Sequence, residues 1–262
     1  MTQDNTTVLY AVEDGVARIT LNRPEKRNAL NDELISGLKE ALRRADRDES
    51  VRAAILFGSG SDFCSGADLK ALQKISKASV AENLEDARSM MELFLLIREE
   101  RVPVIAAVHG RALAGGCGLA LACDMVLASR SARFGFPEVK IGFVPAMVMA
   151  ILRRNVSEKK AFELITTGDE ITAEEGARLA LVNRVFDDDT FATDVRKFVN
   201  RFERTSASAV GLSKRLLYQI DGQTLGDAMS AGVDINAIAR MTEDCQKGIE
   251  RFLKKSQETA LR

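Results

Sequence analysis

Two glycine-bearing segments about fifty residues apart, Ser65-Gly66-Ala67-Asp68-Leu69 and Ala114-Gly115-Gly116-Cys117-Gly118, have the composition of turns that expose backbone N–H groups. Each follows an apolar run, Ala53 to Phe57 and Val104 to Val108, and each leads into a helical pattern. That order leaves N–H donors without intrahelical partners and points them into a common space. Two donors aimed at one oxygen make an oxyanion hole, which suits an acyl thioester becoming an enolate. Glu138 follows in Phe134-Gly135-Phe136-Pro137-Glu138, a carboxylate among apolar neighbours. Partial desolvation there raises its pKa towards use as a proton shuttle. Tight strand-to-helix turns would also account for the glycines, and a surface loop for the glutamate.

The elements that must position these residues alternate along the chain. Val8 to Val12, an Asp14-Gly15 turn and Val16 to Leu21 read as a hairpin. Asn31 caps a helix whose apolar positions are Leu34, Ile35, Leu38, Ala41, Leu42 and Ala45. Ala53 to Phe57, Val104 to Val108, Met125 to Ala128 and Leu181 to Phe186 read as short buried strands separated by helical patterns, an α/β arrangement with crossovers. Thr172 to Glu175 reads as a capping box. From Phe191 onward only helices are expected, over Asp194 to Phe202, Ala207 to Ile220, Leu225 to Arg240 and Thr242 to Lys254.

Four ordered motifs carry a resemblance. Leu21 to Leu30 (LNRPEKRNAL), Phe63 to Lys70 (FCSGADLK), His109-Gly110 through Asp124, and Phe134 to Glu138 resemble the enoyl-CoA hydratase/isomerase (crotonase) family in order and spacing. The likeness covers essentially the whole chain. It implies a spiral of ββα units over 1–200 and a C-terminal helical region, 201–262, used in packing a homotrimer or homohexamer. It also implies that the Ala67 and Gly115 N–H groups bind the thioester oxygen, and that Glu138 is the second of the two hydratase glutamates. Small residues at both donor positions let the carbonyl approach the backbone closely.

Gly118 departs from the hydratase pattern, because similar hydratases carry their first glutamate there and hold water with the pair. One carboxylate suffices to move a proton between two carbons, as in double-bond isomerases. The implied activity is therefore enoyl-CoA hydration or isomerisation; CoA-thioester decarboxylation or hydrolysis, and non-catalytic acyl-CoA binding, are the alternatives. Asp68 is a lesser candidate for a second acid. Coenzyme A enters as part of the substrate, so no separate cofactor is expected. Lys26, Arg27, Ala29, Ser65, Asp68, Leu69 and Gly116 match positions near the coenzyme or substrate in similar proteins, with Lys70 a further candidate; ordinary solvated surface charge is the other reading of Lys26 and Arg27. Phe136, Phe143 and Met147 are candidates for the acyl-pocket wall; core packing is the other reading of Met147 and Met149.

Several function classes lack support. With a net charge of −1, no Trp and only 5% aromatics, nucleic acid is a poor partner. Cys64, Cys117, Cys123 and Cys245 are scattered, and read as free thiols in a reducing cytoplasm rather than as a disulfide or metal framework. The polar stretch Met1 to Tyr10 does not read as a targeting segment, and no run approaches the length of a membrane span. His109, the only histidine, reads as a structural hydrogen-bonder, with no G-x-S-x-G elbow to build a triad around it. Neither a G-x-G-x-x-G nor a P-loop is present.

Overall fold

The computed structural model describes residues 7–260, without the side chains of Leu69, Lys70, Leu72 and residues 255–260. Strands β1 (Val8–Glu13) and β2 (Val16–Leu21) form the expected hairpin. Asp14 and Gly15 take φ of 51° and 71°, the two left-handed residues that match a two-residue turn to the strand twist. In α1 (Asp32–Arg47), Asn31 Oδ1 accepts the Leu34 N–H at 2.9 Å, and the predicted apolar stripe is buried. Then come β3 (Ala53–Gly58), α2 (Leu69–Ile75), α3 (Val80–Glu99), β4 (Val104–Val108), β5 (Arg111–Leu113) and α4 (Gly115–Ala122). The chain continues through β6 (Met125–Ser129), β7 (Arg133–Gly135), a 3-10 turn over Pro137–Ile141, α5 (Ala146–Asn155), α6 (Glu158–Thr167), β8 (Glu170–Thr172), α7 (Ala173–Arg178) and β9 (Arg184–Phe186). Helices α8 (Phe191–Val199), α9 (Ala207–Gln219), α10 (Leu225–Met241) and α11 (Glu243–Ala260) complete it.

Six strands form one sheet in the order β1-β2-β3-β4-β6-β9, parallel from β2 onward. Because helices cover both faces of β3 and β4, these strands are apolar along their length rather than alternating. The larger core lies on the face that receives α1, α3 and α4. On the other face Phe191, Val195 and Val199 of α8 cover Ala53, Ile55, Ile105, Ala107 and Leu127. A second sheet, β5-β7-β8, lies beside the first.

Three expectations need correction. The strand expected over Leu181 to Phe186 is only Arg184–Phe186. Leu181 and Val182 donate instead to the Gly176 carbonyl, at 2.9 and 3.2 Å, as the chain turns out of α7. At Thr172 only half of the capping box forms: its hydroxyl accepts the Glu175 N–H at 3.1 Å, while the Glu175 carboxylate meets Lys160 at 3.3 Å. The helix expected from Asp194 to Phe202 starts at Phe191, ends at Val199 and passes into a 3-10 turn over Asn200–Arg204.

The α9 helix is fastened to the core by a buried lysine. Lys214 Nζ donates to the Ile97 and Val102 carbonyls at 2.7 and 2.9 Å and pairs with Asp124 at 2.7 Å, and the Tyr218 hydroxyl donates to the same Asp124 at 2.8 Å. All four cysteines are free; Cys64, Cys117 and Cys123 are buried and Cys245 half-buried. Burial pushes the Cys64 thiol up to about 12 and raises Cys117 and Cys123 as well, so none is a ready thiolate. No described helix is long and apolar enough to cross a membrane.

Candidate active site

The two glycine-bearing segments are brought together by backbone pairing. Phe63 and Cys64 donate to the His109 and Arg111 carbonyls, both at 3.0 Å, and Leu113 donates back to Cys64 at 2.9 Å. These bonds set Cys64 and Ala112 in a parallel bridge. Gly66, with φ of 93°, makes the close approach possible: a Cβ there would fall 2.8 Å from Ala114 Cβ and 3.6 Å from Gly115 N. Gly116 is required too, because its Cβ would fall 2.4 Å from the Cys64 carbonyl oxygen. Gly115 to Gly118 are not a separate turn but the first residues of α4, so the Gly115 N–H is a helix-terminal donor.

Ala114, immediately before it, has φ 50° and ψ −128°, a left-handed conformation for a residue with a Cβ. Strain of this kind costs about 1–3 kcal/mol and persists where surroundings over-determine it. Here the Ala114 N–H donates to the Gly135 carbonyl at 2.9 Å, and its own carbonyl accepts the Gly118 N–H at 3.0 Å. On the other segment, Leu30 donates to Gly66 O at 2.7 Å and accepts from Asp68 N at 3.0 Å, bracketing Ala67. Among the described residues neither the Ala67 nor the Gly115 N–H has a protein acceptor, and Ala67 is exposed.

The loop before α1 supports this turn. Asn28, fully buried at φ 55°, donates from Nδ2 to the Ser59 and Asp62 carbonyls at 2.8 Å each and accepts the Arg23 N–H at 2.9 Å. The Arg23 guanidinium pairs with Asp68 at 2.7 Å and donates to the Ala29 carbonyl. Asp68 is thus buried in an ion pair with Arg23. Ala29 is buried; Ser65 is half-buried and donates its N–H to the Arg27 carbonyl at 3.0 Å; Lys26 and Arg27 are exposed. The Leu69 and Lys70 side chains lie outside the described residues.

Glu138 sits in the 3-10 turn after Pro137, three positions beyond the Gly135 that accepts from Ala114. Its side chain is buried and Oε2 has no hydrogen-bond partner among the described residues. Burial raises its pKa above the ordinary carboxylate value, partly offset by its own backbone N–H. Its charge in turn raises the Cys117 thiol, which places it beside α4. A buried, unpartnered carboxylate oxygen is costly unless a substrate group or solvent completes it.

The Gly118 position is closed by apolar groups: a Cβ there would fall 2.5 Å from Val148 Cγ2 and 3.1 Å from Phe94 Cζ. Val148 was invisible as a site residue in the sequence, because only the packing of α5 on α4 shows it. Of the acyl-pocket candidates, Met147 is half-buried and Phe143 is 49% exposed, whereas Phe136 is 1% exposed and belongs to the core. Gly116 is likewise buried under Cys64 and shapes the turn. His109 lies on the far face of the sheet, where Nε2 donates to the Gly60 carbonyl at 3.0 Å and the ring stacks on Phe57 at 5.0 Å.

Comparisons with known proteins identify the family. The family model for enoyl-CoA hydratase/isomerase matches residues 11–259. A Thermus thermophilus chain, provisionally named as an enoyl-CoA hydratase, is 40% identical over 94% of this chain and 98% of its own. The 2,3-dehydroadipyl-CoA hydratase of Escherichia coli is 34% identical, over 95% of this chain and 96% of its own. The crystal structure of a Mycobacterium smegmatis enoyl-CoA hydratase superposes with a TM-score of 0.90 at 33% identity, covering 95% of this chain and 96% of that one. These likenesses show that the chain belongs to the enoyl-CoA hydratase/isomerase family and is an acyl-CoA enzyme of the crotonase fold.

Proposed function

We propose that the enzyme moves a proton on an acyl-CoA thioester through an enolate, and that double-bond isomerisation of a 3-enoyl-CoA is the reaction its geometry supports best. The single observation that carries this is the pairing of a buried, unpartnered Glu138 Oε2 with a residue at 118 that has no side chain. The Ala67 and Gly115 N–H groups hold the thioester oxygen, aided by the N-terminal end of α4. In enzymes that use such donors, each is worth about 3–4 kcal/mol of transition-state stabilisation.

Glu138 removes a proton from C2, and the C–H electron pair passes into the enolate, with negative charge on the thioester oxygen. The same carboxyl then returns the proton to C4, leaving the double bond between C2 and C3. Its raised pKa makes it a stronger base than a solvated glutamate. Lys26 and Arg27, exposed on the loop that supports Ala67, meet the coenzyme phosphates, with Ser65 alongside. Phe143 and Met147 border the acyl group. The coenzyme is part of the substrate, and no separate cofactor takes part.

Hydration is the second reading, favoured by the names of the relatives. Assembly as a trimer, alone or paired into a hexamer, accords with the exposed apolar residues of α9 to α11, among them Leu217, Met229, Val233, Met241 and Phe252. The cytoplasm is the compartment that suits four free thiols.

The test is to supply 3-enoyl-CoA and 2-enoyl-CoA separately and resolve the products by chromatography, beside Glu138→Gln. Conversion of the 3-enoyl to the 2-enoyl thioester, lost in the variant, supports isomerisation. Formation of 3-hydroxyacyl-CoA points to hydration. Turnover of neither, with CoA-thioester binding intact in both proteins, points to decarboxylation, thioester hydrolysis or a binding role.

A further inference from the structure

We infer that Val148, backed by Phe94, determines which reaction this site performs, by filling the volume that a side chain at position 118 would need. The inference rests on the proton-transfer reading above and names the residue that limits it to a single carboxylate.

Gly118 lies in the interior of α4, where glycine costs about 1 kcal/mol relative to alanine. The close approach of α5 gives it a reason: Val148 Cγ2 stands 2.5 Å from where a Cβ would be, and the edge of Phe94, on α3, stands at 3.1 and 3.4 Å. Real Cβ contacts do not reach 2.5 Å, so even alanine would force α5 or α3 to shift. Val148 and Phe94 are each 4% exposed, so neither can swing into solvent. Valine in a helix also keeps essentially one χ1 rotamer, unlike the flexible Met147 and Met149 beside it.

Position 118 is three residues beyond Gly115, so it lies on the same helix face one turn from the candidate oxyanion donor. A trapped water needs two to four polar partners. At this wall of the site it meets a methyl group and a ring edge. Glu138, with its unpartnered Oε2, is therefore the polar group left for the substrate carbon, and Gly118, Val148 and Phe94 offer no second one to hold a nucleophilic water against it. Missing chemistry at 118 is thus built in by packing; a glutamate placed there without relief at 148 has no room.

A thermal-stability cycle tests the shared volume. Gly118→Ala should lower Tm by several degrees and Val148→Ala by a few, while the double variant should melt close to Val148→Ala alone. Strictly additive losses would mean that the two positions do not compete for space. Product partition tests the chemical consequence. Val148→Thr keeps the shape and exchanges a methyl for a hydroxyl, so it should fold. With trans-3-hexenoyl-CoA and 2-hexenoyl-CoA as probes, it should raise the ratio of 3-hydroxyacyl-CoA to isomerised product at least threefold. Gly118→Glu with Val148→Ala should raise it tenfold or more. An active Val148→Thr enzyme with the wild-type ratio would overturn the role of Val148 and leave the proton-transfer reading intact. Wild-type turnover that survives Glu138→Gln, or wild-type protein that makes neither product, would overturn that underlying reading and with it the assigned role, whatever the melting temperatures show.

Discussion

Cys64 and Ala112 form a parallel bridge, and the two candidate oxyanion donors, Ala67 and Gly115, each lie three residues beyond it. The bridge and the close approach of Gly66 to Ala114 and Gly115 bring the two segments together ahead of the donors. In the proposed reading, the register of one short pairing sets the geometry of the candidate hole, and every residue that holds that register is a candidate positioning residue.

Gly116 is the most sensitive of these. Gly116→Ala sets a methyl 2.4 Å from the Cys64 carbonyl and 2.7 Å from its Sγ, so the two segments must part. Overpacking of this kind costs about 1–3 kcal/mol or more. Misplacing one donor should lower kcat about 10²–10³-fold with KM little changed. Steady-state kinetics and denaturant unfolding check both.

The acid limb of the rate profile should report Glu138. Burial raises its pKa, so the carboxylate form is lost on acidification at a higher pH than for a solvated glutamate. The plot of kcat/KM against pH should fall below that raised value. Glu138→Gln should remove the limb, lower the rate about 10²–10⁴-fold, and leave Tm unchanged or slightly raised.

Arg23 holds the segment around Ala67 through Asp68 and the Ala29 carbonyl. Arg23→Met removes the guanidinium from the buried Asp68 carboxylate, which should cost about 3 kcal/mol. Adding Asp68→Asn should recover part of that loss, because the buried charge that Arg23 met goes with it. Chemical denaturation of the single and double variants measures the recovery.

Glu100, buried at the end of α3 beside Asp46, has its pKa pushed up to about 8 by burial and by that second carboxylate, with Lys214 and Arg43 opposing. The folded state therefore holds the proton more tightly than the unfolded chain does. Its contribution to stability is full below about 4.5, the ordinary glutamate value, and is lost as pH rises towards about 8. Glu100→Gln keeps a donor for Asp46 and removes the titration. It should raise Tm at pH 8.5, by an amount equivalent to about 1–2 kcal/mol, and change it little at pH 5. Melting curves at the two pH values decide it.

Much of the fold was legible because its parts are local. The Asp14-Gly15 turn, the Asn31 cap and the buried β3 and β4 runs declare themselves in composition and periodicity. The strands of the small sheet do not, since β5, β7 and β8 have three residues each and no period to read. At the site, Glu138 and the two turns were visible as motifs. Val148 was not, because its role exists only in the crossing of α4 and α5, and Ala114 hid its left-handed φ behind an ordinary side chain. Phe136 misled for the opposite reason: a large apolar residue near a site is as often core as wall.

Lys214 gives the helical tail a consequence of its own. Its ammonium is satisfied by a carbonyl near the end of α3, a carbonyl in the loop before β4 and the carboxylate of Asp124. Sliding α9 by even one residue would strand that charge in an apolar interior, so the helix docks in one register or not at all. Detachment of the tail and melting of the sheet then become a single cooperative event, and the chain should unfold in one transition rather than peel from its C-terminal end.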